Sequence, residues 1–333
     1  MLRIRSSRLF STAPRVKNLI NGKLVESSTS SWIPVHDPAT NKVVCLTPET
    51  TPAELRAASD NAAKAFESWK EVPVQQRLRV NLKLQQLIRE RTEDLANLIT
   101  REQGKTLADA RGDVFRGLEV VEHSCSMGTL MMGETLPNLS SSVDTYSLRL
   151  PLGVCAGICP FNFPAMIPLW MFPMANAAGN TFLLKPSERD PGAAMLLAQL
   201  AHDAGLPPGV LNVIHGSKDA VNFICDDDHI RAISFVGGDA AGKHIHERGS
   251  RNGKRVQANM GAKNHGVVMP DADKESVVNT LVGAALVLQD NVAWLFLLLF
   301  LLVNHKSGSQ TLLQSQASFV LVQDMQPTLT LVQ

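Results

Sequence analysis

Asn162 sits in Pro160-Phe161-Asn162-Phe163-Pro164, directly after the apolar run Gly153–Ile158, which reads as a strand. A proline-flanked turn at a strand end fixes the side chain. Its amide NH2 is suited to stabilise the oxyanion formed when a nucleophile adds to a carbonyl. The competing reading is a turn asparagine that caps its own backbone. About twenty residues later, Lys185-Pro186-Ser187-Glu188-Arg189 closes a second strand. A lysine and a glutamate fixed there can hydrogen-bond the two ribose hydroxyls of an adenosine, or form an ordinary solvated pair. A third segment, Phe235-Val236-Gly237-Gly238-Asp239-Ala240-Ala241-Gly242, runs from strand into helix. Gly237 and Gly242 permit a tight turn and close backbone approach to a pyrophosphate at the helix N-terminus. The spacing is weak by itself, because the Gly-x-Gly-x-x-Gly fingerprint is missing.

Addition to a carbonyl needs a nucleophile, and the thiols all lie early: Cys45, Cys125, Cys155, Cys159 and Cys225. An odd number with no Cys-x-x-Cys pair argues against a disulfide scaffold or a zinc site, and for a reducing compartment. Cys155 and Cys159 are best explained by backbone roles on or just after the first strand. Cys45, Cys125 and Cys225 read as small buried hydrophobes. His244 and His246, two apart on a helix, do not share a face and make no metal pair. Asp226-Asp227-Asp228 reads as a solvated turn.

The elements that must position these groups follow from the apolar spacing. Asn21-Gly22 marks a hairpin between Leu19-Ile20 and Leu24-Val25. Thr51-Pro52-Ala53-Glu54 combines an N-cap, a proline at the first helical position and a capping-box glutamate. The helix after it places Leu55, Ala58, Ala62, Ala65, Phe66 and Trp69 on one face. A second helix is expected to run to about Arg101, with Gly104 as its stop, and a third to span Ala110–Met127. From Leu152 onward short apolar runs alternate with helical segments. Strands are expected at Gly153–Ile158, Thr181–Lys185, Leu211–Ile214, Ala232–Val236, Arg255–Ala258 and Gly266–Met269. Helices fall between them, at Gly192–Ala204 and Asp239–Arg248 among others. Such alternation implies an α/β fold with a parallel, doubly wound sheet, which binds ligands where strand order reverses.

At 333 residues the chain has room for two domains. A net charge of +1 gives no global field towards nucleic acid or an anionic membrane. Arg3, Arg5, Arg8 and Arg15 precede the first acidic residue, Glu26, which suits a mitochondrial presequence removed between Phe10 and Arg15, or a basic tail. Val292–Val303 is an unbroken apolar run, too short to span a bilayer, which needs about 20 residues. It reads as an aberrant, aggregation-prone C-terminus rather than an anchor, so no stable membrane insertion is expected.

The three segments, in this order and spacing, resemble the aldehyde dehydrogenase superfamily. The wider run from Ile20 through Met131-Met132-Gly133-Glu134-Thr135, Pro160–Pro173, Lys185–Arg189 and Gln257–His265 resembles its CoA-acylating branch, which oxidises methylmalonate and malonate semialdehydes. The resemblance covers about residues 17–285 and implies a division of the chain. Residues 1–15 would be a presequence, 16–140 the helical part of an NAD-binding domain, and 141–150 an oligomerisation arm. Residues 151–265 would form the nucleotide-binding core, 266–285 the start of a truncated catalytic domain, and 286–333 a divergent tail.

The resemblance also implies a mechanism. A cysteine thiolate adds to the aldehyde, Asn162 holds the oxyanion, hydride passes to NAD, and a thioester is left. Cys159, through its backbone, and Phe161 would line the cofactor pocket. Lys185, Glu188 and Arg189 would hold the adenosine ribose, and Gly238 would lie beneath the pyrophosphate, where many relatives carry serine. Asn259 replaces the water-activating glutamate of hydrolytic members, so CoA would take the acyl group; alternatively, Asn259 simply ends a strand. Arg116 would anchor a substrate carboxylate, or be an exposed helical arginine. Loss of CO2 after oxidation would give propionyl-CoA or acetyl-CoA, in the mitochondrial matrix. Ala293 stands near the position expected for the nucleophile, and Val292 where a second arginine is expected. The expectation is a family enzyme without its reactive sulfur, or a catalytically dead NAD-binding fragment. The family's homo-oligomer is doubtful for this chain.

Overall fold

The computed structural model describes residues 13–261, 263–269, 271–282 and 296–301. The chain divides at Asn259–Met260 into two compact units.

The first unit opens with two hairpins, β1 (Asn18–Ile20) with β2 (Lys23–Val25), and β3 (Trp32–His36) with β4 (Val43–Pro48). Asn21 and Gly22 both have positive φ, +52° and +71°, as a two-residue turn of the primed type requires. Five helices come next: α1 (Pro52–Trp69), α2 (Val74–Glu90), α3 (Thr92–Gln103), α4 (Leu107–Ser124) and the short α5 (Met127–Leu130). The capping box at Thr51 forms as its residue types dictate: Thr51 Oγ1 accepts from the Glu54 amide, and Glu54 Oε2 from the Thr51 amide at 3.0 Å. The expected single helix to Arg101 is two, broken at Arg91 (φ −111°, ψ 18°). No glycine or proline marks that break. It is stabilised by Glu93 and Asp94 in the first turn of α3, with Asp94 paired to Arg91.

A hairpin of β5 (Thr135–Ser140) and β6 (Val143–Tyr146) stands in solvent, with Leu136, Leu139 and Tyr146 exposed. Then comes the alternating region: β7 (Val154–Ile158), α6 (Met166–Ala177), β8 (Thr181–Lys185), α7 (Gly192–Asp203), β9 (Leu211–Val213), α8 (Lys218–Asp226), β10 (Ile230–Val236), α9 (Asp239–Arg251) and β11 (Arg255–Asn259). The sheet runs β11-β10-β7-β8-β9-β1-β2. Its first five strands are parallel, and the β1–β2 hairpin extends it antiparallel through Leu19 opposite Val213. From β7 the chain steps outward through β8 and β9, then returns to the opposite side of β7 for β10 and β11. Strand order therefore reverses beside β7.

Helix α6 fixes the far side of the turn that leaves β7. It is apolar all round and carries Pro168 and Pro173, so periodicity does not reveal it. It packs on α4 at Gly117, where a Cβ would come within 3.1 Å of the Met166 Cα. Charges of opposite sign hold its ends. Asp113 of α4 accepts from the Met166 amide at 2.8 Å, and Arg77 of α2 donates to the Ala177 carbonyl at 2.9 Å. Both complement the helix dipole.

The second unit contains β12 (Lys263–Val268), α10 (Lys274–Val282) and β13 (Phe296–Leu301), the two strands being parallel over six residue pairs. Six residues of the apolar run Val292–Val303 thus form β13. Residues 1–12, Val292, Ala293 and the chain beyond Leu301 lie outside the described residues. Among the described residues, no helix is long and apolar enough to cross a membrane.

The Asp226-Asp227-Asp228 segment is not a solvated turn. Asp227 is buried, accepting from Ser59 Oγ and from Arg56 at 2.6 Å each, and from the His229 amide at 3.0 Å. Asp226 pairs with Arg248. A run of three identical acids hides that the middle one faces α1. Asp227→Ala would leave the buried Ser59 hydroxyl unpaired and remove the partner of the half-exposed Arg56, and urea unfolding is expected to show a loss of about 2 kcal/mol. A change below about 1 kcal/mol would show that the junction is not stabilised by this carboxylate.

Candidate functional site

The carboxyl ends of β7, β8 and β10 bring the three motifs together. After β7, Cys159, Phe161 and Asn162 lie in a short turn before α6. The Cys159 amide donates to the Lys185 carbonyl at 3.0 Å, tying this turn to the end of β8. Asn162 is 5% exposed, and its side-chain Oδ1 is buried with no hydrogen-bond partner. The side chain caps no backbone group among the described residues, so the turn-cap reading does not apply.

Lys185 is 3% exposed, which removes the solvated-pair reading. Its ammonium donates to the Pro186 carbonyl at 2.9 Å and approaches Glu188 at 3.3 Å. The guanidinium of Arg189 lies 5.0 Å from the ring of Phe161. Arg189 is exposed, and so is Phe161 in part, leaving both accessible from solvent.

After β10, Gly237 and Gly238 lead into α9. Gly237 is demanded by its neighbour, since a Cβ there would meet the Phe235 ring at 2.6 Å. At Gly238 a Cβ would meet nothing within 4 Å, so the space beside it is open. No side chain caps the N-terminus of α9, which Gly238 begins. The N-terminus of a helix favours an anion through its amides and dipole. Gly242 lies one turn inside α9, buried, and donates back to Gly238. Asn259 ends β11, and its carbonyl accepts from the Gly237 amide at 3.1 Å. Arg116 is exposed on α4, three residues from the inward-facing Asp113.

Beneath this cleft lies a group of buried ionisable residues that pattern reading does not find. Lys105, between the left-handed Gly104 (φ +93°) and the N-cap Thr106, approaches Asp113 at 3.3 Å. It also donates to the Asn162 carbonyl and lies 3.9 Å from the Phe163 ring. Burial lowers the Lys105 ammonium, and Asp113 counters it. Burial likewise raises Asp113, against the pull of Lys105. Asp190 is fully buried and raised well above the usual carboxylate range. Glu102 accepts from the Gly192 amide at 2.8 Å, at the start of α7, yet burial pushes its carboxyl up to about 7. Lys105 carries a sequence signal, a charge between a helix-ending glycine and a helix-starting threonine, whereas Asp113 lies inside α4 without one.

Four of the five thiols are buried and the fifth, Cys125, is half-buried. Burial pushes Cys45 up to about 12 and Cys155 and Cys225 up to about 11, and it raises Cys159 and Cys125 as well. Reactive cysteines require the opposite shift.

Residues 24–301 match the model of the aldehyde dehydrogenase family. The mouse methylmalonate-semialdehyde/malonate-semialdehyde dehydrogenase [acylating], mitochondrial, is 64% identical over 280 residues, which are 84% of this chain and 52% of that protein. The human protein of the same name is 63% identical over the same shares. A Sinorhizobium meliloti structure solved with NAD, described as a dehydrogenase of the same kind, superposes with a TM-score of 0.80 at 42% identity. It covers 83% of this chain and 56% of its own. A methylmalonate-semialdehyde dehydrogenase from Oceanimonas doudoroffii gives 0.79 at 43%, covering 82% and 56%. The chain spans about half the length of the curated relatives it matches.

Glu102 makes stability depend on pH near neutrality. Its folded-state value lies above its unfolded one, so its contribution is full below the ordinary carboxylate range and is lost as pH rises through about 7. Glu102→Gln keeps an acceptor for Gly192 and removes the charge. The variant is expected to be more stable than the parent at pH 8, by about 3 kcal/mol at most, with the gap closing by pH 5. Denaturant titrations at the two pH values measure this; a gap independent of pH would mean that Glu102 does not titrate in this range.

Proposed function

Because the chain belongs to the aldehyde dehydrogenase family, we propose that it carries the dinucleotide and carbonyl-oxygen cradle of a CoA-acylating semialdehyde dehydrogenase of the mitochondrial matrix. Its substrates would be methylmalonate and malonate semialdehydes, with NAD as hydride acceptor and CoA as acyl acceptor. One observation carries the reading. At the reversal of strand order, an asparagine side chain, a buried lysine beside a glutamate and a helix start with an open glycine at its N-cap stand at adjacent strand ends.

The residues fit NAD. Lys185 and Glu188 offer a donor and an acceptor for the two ribose hydroxyls, and Arg189 with Phe161 flanks them. The open side of Gly238 admits a pyrophosphate onto the first amides of α9, where the helix dipole favours negative charge. When bound, NAD supplies the acceptor for hydride. Cys159 would contribute its backbone, held against β8 through Lys185. Asn162 would donate from its NH2 to the oxygen that gains charge as a nucleophile adds to the aldehyde, an interaction of about 3 kcal/mol in the barrier. Asn259 cannot take a proton from water, so a thioester formed at the site would pass its acyl group to the thiol of CoA. The exposed guanidinium of Arg116 would pair with the substrate carboxylate.

These 333 residues taken alone would not turn over substrate, since burial raises each of the five thiols and none lies in the cleft's polar turn with its side chain free to react. We therefore read it as an NAD-binding member of the family that lacks its own sulfur nucleophile.

Isothermal titration is expected to show NAD binding that weakens about 10- to 100-fold in Lys185→Met, the equivalent of one charge-assisted hydrogen bond. Asn162→Ala should leave NAD binding within about twofold, since the amide faces the carbonyl and not the adenosine. Absence of NAD binding in the unsubstituted protein would sink the cradle. With NAD, CoA and malonate semialdehyde, no sustained NADH formation is expected; CoA-dependent turnover would show that one of the five thiols is the nucleophile.

A further inference from the structure

We propose that Lys105, with its counterion Asp113, is a positioning residue that sets the direction of the Asn162 amide. The inference rests on the reading of Asn162 as an oxyanion donor and names what aims it.

The Asn162 side chain hydrogen-bonds to nothing among the described residues, and its Oδ1 is buried without a donor. A polar side chain with no bonds of its own takes its direction from the backbone that carries it and from packing. Lys105 governs that backbone. Its ammonium donates to the Asn162 carbonyl and lies 3.9 Å from the face of the next residue, Phe163. The same ammonium is 3.3 Å from Asp113 Oδ2, while Asp113 Oδ1 accepts from the Met166 amide at 2.8 Å. One buried ion pair thus holds residues 162–166 at both ends, the carbonyl at the start and the amide at the finish.

The anchor of this pair is independent of the turn it holds. Lys105 is fixed between Gly104, which ends α3, and Thr106, whose hydroxyl caps α4. Asp113 projects from α4 two turns later. A cation at Lys105 is needed because it serves two acceptors, the Asp113 carboxylate and a neutral carbonyl. A shorter or uncharged side chain would lose at least one of them, and the turn would be free to rotate about its prolines. Geometric tolerance in such donors is small, since misplacement of about 1 Å costs much of the effect.

The test reads the amide directly. Asparagine side chains are labelled with 15N in the full chain, and the Asn162 NH2 pair is identified by its disappearance in Asn162→Ala. In Lys105→Met this pair is expected to lose its distinct position, move to that of solvent-exposed asparagines, and exchange faster with water. The pairs of Asn61, Asn212 and Asn252, each donating to a backbone carbonyl outside α6, should stay in place. Lys105→Arg, which keeps the charge, should restore the Asn162 pair at least in part. Asp113→Asn should displace it in the same direction. An unmoved Asn162 pair in folded Lys105→Met overturns the proposal, as does movement of all four pairs together, which would mean general loosening. Should Lys105→Met fail to fold, Asp113→Asn decides by the same criterion. The spectrum is taken without nucleotide, so failure to bind NAD would sink the cradle while leaving this outcome legible.

Discussion

Strand β7 has neighbours that arrive from opposite directions along the chain, β8 by stepping forward and β10 by returning. The loops leaving β7 and β10 must therefore part, one towards each face of the sheet, and the gap between them cannot be filled by either crossover helix. Everything in the cleft inherits from this. Asn162 occupies the loop after β7, the uncapped start of α9 comes after β10, and Lys185 closes the strand beside them. The residue types are meaningful because topology places them on one edge. The same lysine and glutamate on an isolated helix would be a solvated pair of little consequence.

The cleft is underlain by charge rather than by apolar packing alone. Lys105, Asp113, Glu102 and Asp190 are withdrawn from water, and each is shifted by burial against its charged form. An apolar core would be at least as stable. What Lys105, Asp113 and Glu102 contribute is direction, because hydrogen bonds to a carbonyl, a helix amide and a second helix start fix orientations that methyl groups cannot. Stability and placement are therefore traded against each other close to the place where chemistry would occur.

Much of this is legible in the sequence, and the exceptions have physical causes. Strong local rules hold where the residue types state them: the capping box at Thr51, the hairpin at Asn21-Gly22, and the parallel strands with their motif-bearing ends. The break at Arg91 escapes pattern because no glycine or proline marks it, and Glu93 and Asp94 in the first turn of α3 are ordinary surface charges until the helix start is known. The bounds of helix α6 escape, though a helix is expected between those strands, because its residues are apolar on every face, the exposed Trp170 included, and set no period. Asp227 and Lys105 escape for a shared reason. A buried charge is defined by partners distant in sequence, Arg56 and Ser59 for one and the Asn162 carbonyl for the other. The fold class and the cleft come from local pattern, whereas the support beneath the cleft is a property of tertiary contact.

Helix α6 is gripped at both ends, by Asp113 at the first turn and by Arg77 at the last. Twelve residues make it a rod of about 18 Å, with little freedom to bend while both grips hold. Along that length its buried side chains also pack on α4 and β8. The placement of Asn162 therefore draws on contacts made well beyond the turn that carries it, so a substitution at the remote end of α6 reaches the cleft through the helix itself.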